Sequence, residues 1–136
     1  CTLTGFFVDE DEAVAHYTHT LESVLAQSQG IPEPPITVKQ LTFNSDWHGL
    51  VLQADWLKAL IKTFAAQANS PTRQDALRLK DWLHLSLAYE FDPTAATVLQ
   101  SHANDLIDLS APVSWQLRFY QRGAENQWMC HGCWAL

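Results

Sequence analysis

The sequence predicts an α+β protein with mainly antiparallel sheets and helices packed outside. Two observations carry the class. Stretches of period two alternate with stretches whose apolar residues recur at helical spacing, and strand-like stretches come in pairs between the helices. A third bounds the size: 136 residues, 47% of them hydrophobic, suit one globular domain with a sizeable core.

Taken in order, Thr2-Leu3-Thr4-Gly5-Phe6-Phe7-Val8 reads as a strand that ends at the acidic run Asp9 to Glu12. Ala13 to Gln27 sets Val14, Tyr17, Leu21, Val24 and Leu25 at helical spacing. Gly30 stops that helix, and Pro32-Glu33-Pro34-Pro35 is a stiff connector too short to link two domains. Ile36 to Phe43 alternates Ile36, Val38 and Leu41 with polar residues, slipping phase once. Asn44-Ser45-Asp46 turns the chain into a second run, His48 to Gln53, so the two form a hairpin. Asp55 is the expected N-cap of a second helix, whose apolar face is Trp56, Leu57, Leu60, Ile61, Phe64 and Ala68. Ser70-Pro71 either ends it or opens a short helix through Leu79. Trp82 to Phe91 is the strongest strand, and Asp92-Pro93 cap a third helix from Thr94 to Ile107. Pro112 precedes two last strands, Ser114 to Gln121 and Gln127 to Leu136, joined by a turn at Gly123. The expected order is β-α-β-β-α-β-α-β-β.

Charge and composition narrow the function classes. Fifteen acidic against eight basic residues, a formal net charge of −7, repel a polyanion and argue against a long nucleic acid as partner. A small anionic ligand in a local pocket stays compatible. No run approaches the roughly 18 apolar residues that span a bilayer, and the start has no charged segment leading into an apolar one, so no membrane partner is expected. Three cysteines, an odd number, without a secretion signal fit a reducing, cytoplasmic location. A start at Cys1 has two readings: the lipid-bearing cysteine of a bacterial lipoprotein, or a domain excerpted from a longer chain. The strand-like run that begins at once favours the second.

Candidate chemistry concentrates on the strongest strand. In Trp82-Leu83-His84-Leu85-Ser86-Leu87-Ala88-Tyr89, period two turns Leu83, Leu85 and Leu87 to one side and His84, Ser86 and Ala88 to the other. An imidazole and a hydroxyl then stand side by side, about 7 Å apart along the strand. The first moves protons near neutral pH and the second donates to an anionic oxygen. Tyr89 joins them only if a bulge breaks the alternation, and otherwise packs in the core. His48, at the start of the hairpin's second strand, is a candidate ligand contact beside a groove. Arg118 and Arg122, four apart on a strand with Tyr120 between them, share a face that attracts phosphate or is simply exposed. Cys130-His131-Gly132-Cys133 has the form of a zinc or redox pair, but it has no second ligand pair at finger spacing and lies on a strand rather than at a helix N-terminus, so no metal is expected. His16 and His19 sit on a solvated helix surface.

A near copy of the His84 pattern stands at the start of the chain. Cys1-Thr2-Leu3-Thr4 would, with a His one position earlier, read His-x-Thr-Leu against His84-Leu85-Ser86-Leu87. With Thr2-Leu3-x-x-Phe6-Phe7, the acidic run, and Phe119-Tyr120-x-Arg122, the chain resembles the 2H phosphoesterase superfamily, most closely the phosphoesterase domain of the T-cell ubiquitin-ligand proteins. The resemblance implies one two-lobed domain over residues 1–136, its sheets set around a central groove, lacking its N-terminal strand. It also implies a metal-independent hydrolase without cofactor, acting on a 2′,3′-cyclic phosphate or 2′-linked phosphodiester of a nucleotide or RNA end. In that family two His flank the phosphodiester, one taking a proton and the other protonating the leaving oxygen. His84 would be the second of them, with Ser86 and Thr2 the hydroxyls on the phosphate oxygens and Tyr89 a substrate contact. Without the first-motif His this polypeptide is expected to be nearly inactive, and a noncatalytic ligand- or protein-binding module of a larger scaffold protein is the alternative.

Overall fold

The computed structural model describes residues 1–28 and 35–136, so Gly30 and most of the proline connector lie outside the described residues. The chain is α+β, with two separate antiparallel sheets and three α-helices among the described residues. Its order is α1 (Ala13–Ser28), β1 (Thr37–Phe43), β2 (Trp47–Gln53), α2 (Asp55–Gln67), β3 (Leu83–Tyr89), α3 (Ala96–Leu106), β4 (Gln116–Arg122) and β5 (Trp128–Ala135). Strands β1, β2 and β3 form one sheet in that order, and β4 pairs with β5 in the other.

Most boundaries follow local chemistry. The phase slip read in β1 is a register shift between Val38 and Gln40. The Asn44 N–H donates to the Trp47 carbonyl to close the β1–β2 turn, and the Gly123 N–H donates to the Gln127 carbonyl to close β4–β5. Asp92 accepts from the Thr94 N–H and opens a short 3₁₀ turn, Pro93–Ala95, that leads into α3. One expectation is corrected: Ala54, not Asp55, occupies the N-cap of α2. Asp55 is its first helical residue, where a carboxylate suits the helix dipole and sits 3.5 Å from Lys58. Of the two readings at Ser70-Pro71 the first holds: α2 stops at Gln67 and the segment 70–79 is not helical.

The expected strand at Thr2 to Val8 is also corrected. The segment is extended but makes a single bridge, Thr4 opposite Leu79, with the Gly5 N–H on the Arg78 carbonyl and the Lys80 N–H on the Leu3 carbonyl. Period two requires only an extended backbone, whereas a strand needs a partner whose free groups match it for several residues.

Two apolar clusters meet across α2. Leu60, Ile61, Phe64 and Ala68 pack with Tyr17, Leu21 and Val24 of α1 and with Leu117, while Leu57 joins Leu50, Leu52, Ala54 and Leu83 beneath the three-stranded sheet. Leu3 and Trp56 touch both. A polar clasp holds the N-terminal segment onto this core. Asp9 accepts from the Tyr17 hydroxyl at 2.6 Å and from the Thr72 hydroxyl, and Arg73 reaches the Tyr17 oxygen and the Ala68 carbonyl. Partial desolvation of Asp9 opposes its charge, but the hydrogen bonds from Thr72, Tyr17 and the Glu10 N–H outweigh it and hold the carboxyl well below the usual carboxylate range.

A depressed carboxylate binds fewer protons folded than unfolded. Its stabilisation is therefore complete above its unfolded value of about 3.9 and is lost as the pH falls toward its folded value. Asp9→Asn is expected to lower the melting temperature at pH 7, with the gap to the parent closing below about pH 4. A gap that stays constant down to pH 2 would show that the Asp9 charge adds nothing.

Candidate active site on the β3 face

The candidate site is built on the outward face of β2 and β3. Leu50 and Leu52 pair with Leu85 and Leu83; the burial of Leu50, Leu52 and Leu83 marks the core side, on which Leu85 is exposed, and Gly49, opposite Ser86, and Val51, opposite His84, take the other side. The alternation expected from the sequence therefore holds from Leu83 to Ser86. The His84 ring lies stacked on Trp82 with centroids 4.0 Å apart and planes at 19°. Trp47 sets its edge against both, at 5.5 Å from His84 and 5.1 Å from Trp82, and its Nε1–H donates to the Ser86 hydroxyl at 2.9 Å. Three aromatic rings and one hydroxyl thus form a single patch.

Trp47 and Trp82 are not among the candidates singled out from the sequence. A signal for Trp82 was present, since it stands two residues before His84 and period two carries it to the same face. Trp47 had none, because its neighbours lie on another strand.

His84 is half-buried, and its Nδ1 has no hydrogen-bond partner among the described residues. Burial, with the Lys80 charge adding to it, lowers the pKa of the imidazole from the ordinary 6.5. The ring is therefore neutral at pH 7 and suited to accept a proton. In an NMR titration the His84 midpoint is expected below 6.5. Trp82→Ala should move it up, because removing the stacked indole lets water reach the imidazolium. The stack also offers the cation some ring attraction, so an unchanged or lower midpoint in the variant would mean that this attraction outweighs desolvation. Since the unfolded chain binds this proton more readily, His84 takes stability away as the pH falls from about 6.5 through its folded midpoint.

The remaining candidates separate. Between His48 and Gly49 the β2–β3 register shifts, so that His48 faces Ala88 and Trp47 faces Tyr89. This bulge places Tyr89 on the Trp47 side, where it is exposed. His48 goes the other way: it is 2% exposed, wedged between Phe43 and Phe91, and does not reach the His84 face. Apolar surface on both sides of its ring explains the burial, and the expectation of a groove contact is corrected.

Thr2 lines a cleft of about 830 Å³ between the N-terminal segment and β4, together with Arg118, Tyr120 and Arg122. Neither His84 nor Ser86 lines that cleft, although Leu83 does from its other face. The two arginines and Tyr120 are exposed on one side of β4, with Arg118 bonded to Gln116 and Tyr120, and Arg122 bonded to Asn126 and set 5.9 Å from the Trp128 ring.

Cys130 and Cys133 are free, exposed thiols on β5, opposite Tyr120 and Arg118. No three metal-ligating side chains converge among the described residues. None of the described helices is long and apolar enough to cross a membrane.

Ubiquitin-associated and SH3 domain-containing protein B of mouse and of human are each 28% identical to the chain over 124 residues. The match takes in 89% of this chain and 19% of each relative, so the chain spans about a fifth of their length. No family model matches the chain, and no solved structure matches it.

Proposed function

We propose that the His84–Ser86 face binds a phosphodiester. On this reading the protein, as encoded, is a metal-independent phosphodiesterase acting on a 2′,3′-cyclic phosphate or 2′-linked phosphodiester of a nucleotide or RNA end, like the 2H phosphoesterases that its motifs resemble. The observation that carries the reading is the pairing on one strand face of an imidazole held toward its neutral form and a hydroxyl, bridged by one indole. His84 would take or return the proton of the attacking or leaving oxygen. Ser86 would donate to a phosphate oxygen, where charge builds in the transition state. Exposed Tyr89 would supply a substrate contact, whereas Thr2, which lines the cleft on the other side of β3, stands apart from this face, so its expected role as the matching hydroxyl is not part of the reading. The experiment is turnover of 2′,3′-cyclic nucleotides, without added metal, by the full-length encoded protein. Absence of turnover, with no shift of the β3 amide resonances on adding phosphate, rejects both parts of the proposal.

The second reading is a noncatalytic ligand- or protein-binding module of a larger protein. It is favoured by the length of the relatives, and by the presence of one imidazole only on this face among the described residues. Binding of phosphate at β3 without turnover of any phosphodiester would select it. A relative that carries ubiquitin-associated and SH3 domains in its name is compatible with this role.

A further inference from the structure

We propose that Trp47 is a positioning residue that holds the Ser86 hydroxyl as a hydrogen-bond donor toward an anionic ligand, and that Gly49 makes this possible. The inference rests on the reading of the β3 face as an anion site and adds a residue to it.

The polarity of the contact is decided by chemistry. An indole N–H only donates, whereas a serine hydroxyl has one O–H to give and two lone pairs to receive. At 2.9 Å from Trp47 Nε1, the Ser86 oxygen must therefore be the acceptor. One lone pair is occupied, and the O–H, which has no other partner among the described residues, turns outward from the indole. A free serine hydroxyl on an exposed strand would instead rotate among water partners and would offer a lone pair to an approaching anion as readily as its proton. Trp47 removes that ambiguity, and accepting a hydrogen bond also polarises the hydroxyl into a better donor.

Gly49 supplies the space. It lies two residues after Trp47 on β2 and directly opposite Ser86 on β3, so any side chain there would stand between the indole and the hydroxyl. A Cβ at this position would overlap the Trp47 ring and the Leu85 carbonyl oxygen, the second of which is backbone and cannot swing away. The same indole braces His84 through its edge, so one side chain orients both polar groups of the site.

The test compares parent, Trp47→Phe, Ser86→Ala and the double variant for binding of inorganic phosphate, followed by NMR. Trp47→Phe keeps an aromatic ring but loses the donor together with part of the indole's bulk, so the comparison with the Ser86→Ala background isolates the hydrogen bond. In Ser86→Ala the Trp47 indole N–H resonance is expected to shift, which checks the contact whatever the site does. Phosphate binding should weaken about threefold to tenfold in Trp47→Phe, with no further loss when that change is added to Ser86→Ala. Ser86→Thr should retain both binding and sensitivity to Trp47→Phe. If Ser86→Ala weakens phosphate binding and Trp47→Phe does not, Trp47 has no positioning role while the anion site stands. If phosphate binds the parent and Ser86→Ala alike, or binds neither, the reading of the site fails and this inference fails with it.

Discussion

Replacing His84 with alanine is expected to lower kcat/KM for 2′,3′-cyclic nucleotides by about 10²–10⁴, the usual contribution of a positioned acid or base. The parent profile should also rise with pH through a midpoint below 6.5, and that limb should vanish in the variant. Folding is not the explanation to fear. The imidazole is half-buried, its Nδ1 has no hydrogen-bond partner among the described residues, and it packs on Trp82. Its loss should cost about 0.5–1.5 kcal/mol of ring stacking on top of the area a half-buried ring gives up. Activity within tenfold of the parent, in a variant whose melting curve is intact, would remove His84 from the proton-transfer step.

Tyr17→Ala is expected to destabilise the protein by about 3–5 kcal/mol, the range for deleting a large buried aromatic side chain. Tyr17 is 2% exposed and touches four rings, with centroid distances of 5.1 Å to Phe7, 5.7 Å to His16 on its own helix, 6.1 Å to Phe119 and 6.4 Å to Phe64. It thereby joins the N-terminal segment, β4 and α2 around α1. Tyr17→Phe keeps the ring contacts and breaks only the hydroxyl's bonds to Asp9 and Arg73, so its cost should be about 1 kcal/mol. Denaturant unfolding of the two variants separates packing from the clasp. Equal losses would mean that the hydroxyl network, not the ring, holds this corner together.

The helices and most strands were legible because their signals are local. Apolar spacing in α1 and α2 identified the side that became buried, and Asn44, Asp92 and Gly123 marked turns through their own backbone or side-chain bonds. The errors arose where a second segment decides. Thr2 to Val8 has the alternation of a strand and makes one bridge only. His48 looked like a mouth residue until Phe43 and Phe91 closed over it. The spacing of Arg118 and Arg122 placed them on one face, but that the N-terminal segment forms a cleft with that face was not legible.

The sequence by itself determined which side of β3 each residue from Leu83 to Ser86 takes. Successive Cβ atoms point to opposite faces, so Leu83 had to part from His84 and Ser86 wherever the strand was placed. Only the tertiary structure decided what stands beside them. Pairing with β2 brought Trp47 to Ser86 across 39 positions of chain, set Gly49 opposite, and introduced the bulge that turns Tyr89 toward the same side. Cross-strand register depends on the hydrogen-bonding groups and shapes of two distant segments at once. The period of either segment leaves its partner unspecified.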